Sequence, residues 1–184
     1  NLVVSCVGAK DGTVISVIYQ MSVFGGSDQQ VSSVTLPDLM VLSATYDDDG
    51  SVCVIGDTKS VILSSACEIK AEYPYSKTIS DFNAGVSNFK VLLLSSSYNN
   101  SKYDAVTVDG SSQVKGTYTS AETVKWIASS RDHVFLLLNK ELLMFDTNMN
   151  QQKSFEVRSD AEKILVIGSD VYVLGLGEIS KISY

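Results

Sequence analysis

Short apolar runs, each closed by turn-forming residues, recur along the whole chain. The clearest is HVFLLLNKELLMFD, from His133 to Asp146, in which residues 134–138 and 142–145 flank Asn139-Lys140-Glu141. An apolar run of that length between turn residues predicts a strand rather than a helix, and two so close predict a hairpin. The same shape returns in SVCVIGDTKSVILS (51–64) and DVYVLGLGEISKIS (170–183), and more loosely at 2–19 and 89–109.

The spacing of these runs sets the expected fold. Strands fall into groups of four, with first strands beginning near Leu39, Phe82, Val124 and Lys163, and fourth strands near Gln29, Glu68, Ser112 and Gln151. A period of ~40–45 residues with four strands is that of a β-propeller blade. The opening piece supplies three strands (2–7, 13–21, 30–36), with turns at Lys10-Asp11-Gly12 and Gly25-Gly26-Ser27-Asp28. Complete units follow at 39–46, 52–55, 61–64 and 68–75; at 81–87, 89–95, 103–108 and 113–119; and at 124–129, 134–138, 142–145 and 152–157. The last unit has three strands again (163–168, 171–176, 179–184). The predicted class is therefore all-β, a propeller of four-stranded antiparallel blades at 1–36, 37–76, 79–120, 121–158 and 161–184, read as one domain. The opening unit lacks its first strand and the closing unit its fourth. Two arrangements stay open: a five-bladed ring with two thin blades, or an arc of a larger propeller whose end faces are apolar and prone to self-association.

Inner strands such as VLLL, VFLLL and ILVIG are continuous apolar runs, which predicts cover on both faces. Outer strands such as KSFEV (153–157) and QVKGTYT (113–119) are more polar and alternate. That gradient fits radial blades better than a two-layer sandwich, in which most strands keep a wet face. Pro74 fits a sheet edge, where a missing N–H is tolerated.

Composition changes this picture little. The 184 residues are 45% hydrophobic and 19% charged, enough for a real core and against disorder. A net charge of −7, with Lys and Arg scattered singly, excludes general binding to nucleic acid and discourages attachment to anionic membranes. No apolar run nears the ~20 residues of a spanning helix. Asn1 opens the chain without a methionine or signal-like segment, so the expectation is a trimmed piece whose anchor, if any, lies upstream. Cys6, Cys53 and Cys67 form neither a CxxC pair nor an even set; Cys6 and Cys53 sit in apolar runs and are expected to pack as small hydrophobes. Their spacing leaves the redox compartment undecided.

Candidate chemistry is sparse. His133 is the single histidine, and its neighbour Asp132 sits on a turn, so a half-exposed strand-opening residue is expected rather than a triad member. Asp47-Asp48-Asp49-Gly50 is the densest acidic cluster and the one metal candidate, because hard cations want several carboxylates. Consecutive aspartates diverge in a turn, however, and the spacing is not that of a D-x-D-x-D-G loop, so a plain turn is favoured. Gly25-Gly26 lacks a phosphate-loop fingerprint, Trp126 is expected in the core, and Asn99-Asn100-Ser101 is a formal glycosylation sequon. Tyr73, Tyr75, Tyr98, Tyr103 and Tyr118 lie on outer strands or loops, where edge packing outweighs a binding patch. Arg131 and Arg158 are the only arginines, which excludes the three-arginine site of a propeller sialidase. The paired Gly-His and Trp-Asp of WD repeats, the double glycines of kelch blades and the Tyr-Trp-Thr-Asp repeat are absent, and one tryptophan cannot make the docking repeat of quinone-dependent dehydrogenases.

Carried by the degenerate hairpins at 170–183 and 134–146, the chain resembles bacterial propeller-like proteins of unknown function, often found in Gram-positive organisms behind an N-terminal membrane anchor. The resemblance implies a propeller fold outside the cytoplasm or at the cell surface, and carries over no functional residue. The functional expectation is a non-catalytic interaction scaffold for a protein or other surface ligand, with no cofactor and no catalytic residue assigned. Two alternatives stand beside it: a hydrolase or lyase with paired carboxylates in a central channel, and a structural segment completing a larger propeller with another chain or segment. For the aspartate cluster, the turn reading predicts no change in Tm when calcium is titrated in; a calcium-dependent rise would establish a metal site there.

Overall fold

The computed structural model describes residues 1–22, 31–84, 89–96 and 102–184. The Gly25-Gly26 turn, Gly85, Tyr98 and the Asn99-Asn100-Ser101 sequon lie outside the described residues. Among the described residues every regular element is a strand, and the eighteen strands form five antiparallel sheets. Sheet 1 holds β1 (Leu2–Lys10), β2 (Thr13–Met21) and β3 (Val31–Pro37); sheet 2 holds β4 (Val41–Tyr46), β5 (Val52–Gly56), β6 (Lys59–Leu63) and β7 (Ile69–Pro74). Sheet 3 holds β8 (Thr78–Asn83), β9 (Phe89–Ser95), β10 (Tyr103–Asp109) and β11 (Val114–Ser120), and sheet 4 holds β12 (Trp126–Ser129), β13 (His133–Leu137), β14 (Glu141–Asp146) and β15 (Gln151–Glu156). Sheet 5 holds β16 (Lys163–Ile167), β17 (Asp170–Gly175) and β18 (Glu178–Ile182). Each sheet is a meander whose strands pair in sequence order, in the grouping of three, four, four, four and three that the apolar runs predict.

The chain divides into two compact units, Asn1–Tyr75 with Gly110–Gln113, and Ser76–Asp109 with Val114–Tyr184. In the first, Ile18, Val34 and Leu36 of sheet 1 pack with Leu39 and with Val41, Val52, Val54, Val61 and Leu63 of sheet 2. In the second, two cores sit back to back on sheet 4. Ile127, Leu136, Leu143 and Phe145 face Phe89, Val91, Leu93 and Ala105 of sheet 3. The intervening residues Ala128, Phe135, Leu137, Leu142 and Met144 face Ala161, Ile164, Val171 and Val173 of sheet 5. Strand side chains alternate faces, so a strand covered on both sides must be apolar at every position. That is why VFLLL is buried throughout.

The ILVIG run is a correction to the same expectation. Ile164 is buried, but Leu165 and Ile167 are 48% and 59% exposed. Sheet 5 is covered by sheet 4 on one face, and the other face meets solvent. Two further expectations are corrected. Cys6 is exposed on β1, while Cys53 and Cys67 are buried. Trp126 is half-buried, with the Lys163 ammonium 5.1 Å from its ring centre. The first strand of sheet 3 begins at Thr78, earlier than its apolar pattern suggests, because a bulge between Ile79 and Asp81 breaks the alternation.

A repeated turn fastens third strands to fourth strands. Ser64 Oγ accepts the Ala66 and Glu68 N–H groups at 3.2 and 3.1 Å; Asp146 Oδ1 accepts those of Asn148 and Asn150, both at 2.9 Å. Three residues beyond each acceptor, Cys67 and Met149 adopt a left-handed backbone (φ 61° for both) and bury their side chains. Ser112 repeats the conformation three residues after Asp109. The carbonyls of these turns then receive the preceding sheet: Gln20 Nε2 donates to Ser64 O at 2.8 Å, and Thr107 Oγ1 to Thr147 O at 2.8 Å. Gly116 of β11 lies against the Asn148 carbonyl so closely that any Cβ would collide with that backbone. Gly116→Ala is expected to destabilise the protein by about 1–3 kcal/mol, read as a lowered urea midpoint, since backbone cannot yield as a flexible side chain can.

Candidate functional site

Laid on each other by their hairpin registers, sheets 4 and 5 correspond residue by residue. Leu138 pairs with Glu141 across the β13–β14 turn, as Gly175 pairs with Glu178 across β17–β18. Leu136, Leu143 and Phe145 therefore correspond to Val173, Ser180 and Ile182. Lys125 and Glu162 each donate their N–H to the equivalent carbonyl, Leu137 O and Leu174 O, so Val124 corresponds to Ala161. At five of these positions, Leu138, Leu136, Leu143, Phe145 and Val124 against Gly175, Val173, Ser180, Ile182 and Ala161, sheet 5 carries the smaller side chain.

The space given up is a cavity of about 120 Å³ between sheets 4 and 5. Val157, Ala161, Val173 and Ile182 form its apolar floor, with Ser180 beside them. Arg158, Asp160 and Glu178 line its mouth. Arg158 grips Asp160 with two bonds (Nε to Oδ1 3.0 Å, Nη2 to Oδ2 3.1 Å) and donates Nη1 to Glu178 Oε2 at 2.7 Å. The guanidinium hydrogen bonds hold the Asp160 carboxyl below its ordinary pKa, and the same bonds with the two carboxylates raise that of Arg158. This group is exposed and screened, so it orients the rim more than it stabilises the fold. Arg158 entered the sequence reading only as one of two arginines; the trio spans a strand-exit loop and the next sheet's hairpin, and no local motif joins them.

A second, more open cavity of about 370 Å³ lies in the first unit, bordered by Gln20, Ser32, Tyr46 and Ser65 among others. Its polar groups are tied inward: Ser32 Oγ approaches Ser65 O at 3.5 Å, and Tyr46 donates its hydroxyl to Leu2 O at 3.2 Å.

The residues singled out from sequence do not converge. Asp49 accepts the Ser51 hydroxyl at 2.5 Å and the Ser51 N–H at 2.9 Å, which lowers its pKa, while Asp47 O accepts the Gly50 N–H at 3.0 Å. Among the described residues no three His, Cys, Asp or Glu side chains come together as a metal site. His133 opens β13 half-buried, its ring 5.5 Å from that of Tyr184. Tyr118 packs on Phe145 at 4.6 Å between ring centres, and Tyr73 lies 5.9 Å from Tyr75, so these tyrosines make packing contacts. Asp81, on β8, has its pKa raised by burial although its carboxylate accepts the Phe82 N–H at 2.8 Å.

Asp81 and Asp146 titrate with opposite consequences. Burial raises the folded pKa of Asp81, so its ionisation costs stability as pH rises through that value; Asp81→Asn is expected to raise Tm at pH 7, the gain closing below about pH 4. Hydrogen bonds from Asn150 and Asn148 depress the folded pKa of Asp146, so its contribution is full above the ordinary carboxylate pKa and is lost as pH falls through the depressed one. Asp146→Ala should cost about 1 kcal/mol at pH 7, discounted for solvent, and little in strong acid. Thermal melts of both variants from pH 2 to 8 check the two signs.

Comparison with solved structures identifies the architecture. The chain is similar to the WD40 domain of Neurospora crassa Pan2 (14% identity, TM-score 0.54), covering 92% of this chain and 58% of that one. It is similar to BamB of Moraxella catarrhalis (9% identity, TM-score 0.58; 98% of this chain, 62% of that one). It is also similar to PorZ, a surface component of the type-IX secretion system of Porphyromonas gingivalis (14% identity, TM-score 0.59; 96% and 26%). The chain thus spans less than two thirds of these structures, and at such identities the likeness establishes the β-propeller fold alone. No curated protein matches the sequence. A family of unknown function, DUF5711, matches residues 1–183, and the chain belongs to that family.

Proposed function

We propose that this protein is a non-catalytic propeller scaffold, stationed outside the cytoplasm, that works by holding other protein surfaces. One observation carries the reading: at four positions the outer face of sheet 5 carries apolar residues where sheet 4 buries them, while the buried Met144 gives way to Lys181, which is ion-paired with Asp170. Ala128, Phe135, Leu137 and Leu142 of sheet 4 are 4%, 0%, 0% and 0% exposed. Their counterparts on sheet 5 are Leu165, Tyr172, Leu174 and Ile179, with Leu165 48% and Ile179 68% exposed. An apolar face of this construction is energetically satisfied by a further sheet packed upon it, at roughly 25 cal/mol per Å² of apolar surface removed from water. Such a sheet is supplied by a further segment of a longer protein or by a second copy, and residues 1–184 alone in solution test the second copy. The extracytoplasmic placement draws on the resemblance to anchored bacterial proteins and on the kinship of fold with PorZ, itself named as a surface component.

Light scattering coupled to size exclusion tests the surface. The wild-type chain is expected to exceed its 19.9 kDa monomer mass as concentration rises. Leu165→Lys with Ile179→Lys should return it to monomer without lowering Tm, since both side chains already face water. A wild-type chain that stays monomeric at every concentration overturns this surface. Protease shaving of intact cells tests the location, with loss of the protein expected and full protection counting against it.

A further inference from the structure

We draw no further inference here: the strongest candidate, the polar side-chain cluster of Asp81 and Asn83 on β8 with Ser129 on β12, carries nothing, because Asn83 Oδ1 already accepts the Ser129 hydroxyl at 2.8 Å and the case for Asp81 rests only on a pKa raised by burial.

Discussion

The constraint on which the rest depends is that the middle strands of sheet 4 have no solvent side. Between their end residues, each side chain of β13 and β14 is committed to one of two neighbours, and the commitment alternates with every residue. Phe135 and Leu137 turn towards sheet 5, Leu136 and Phe145 towards sheet 3. A slip of one residue would exchange the two sets and leave both interfaces with the wrong shapes. Register is therefore specified twice over, by each core separately, and this is what allows sequences as varied as VCVIG, VLLLS and VFLL to build one kind of sheet.

The same logic explains which parts of the structure could be read along the chain. Eighteen strands in the right groups were legible because an apolar run between turn residues is a local signal, and β2, β5, β9 and β14 deliver it plainly. Bounds drifted where a bulge broke the alternation, as at Ser80 in β8, or where an end residue pairs without being apolar, as with His133. The exposure of Leu165 and Ile167 was not legible. A run such as ILVIG states that both faces are apolar and says nothing about how many neighbours arrive to cover them.

The candidate site was illegible for a different reason. Neither Ser180 nor Gly175 carries a signal in isolation, since serine and glycine are common beside turns. Their meaning appears only by comparison with Leu143 and Leu138, the residues at the same places one sheet earlier. The repeated turn was similarly hidden. Ser64 and Asp146 do one job with different oxygens, and Cys67, Ser112 and Met149 share a backbone conformation and no side-chain chemistry. A repeat maintained by backbone geometry leaves a faint trace in residue identities.

Because each sheet is a plain meander, every strand finds its hydrogen-bonding partner next to it along the polypeptide. No ladder waits for a distant segment, so the entropy of closing long loops is not spent before pairing begins. During synthesis each sheet can zip up as it leaves the ribosome and offer its finished flank as a template for the one emerging behind it. Folding then runs as a relay down the chain, each hairpin complete before the next one is needed.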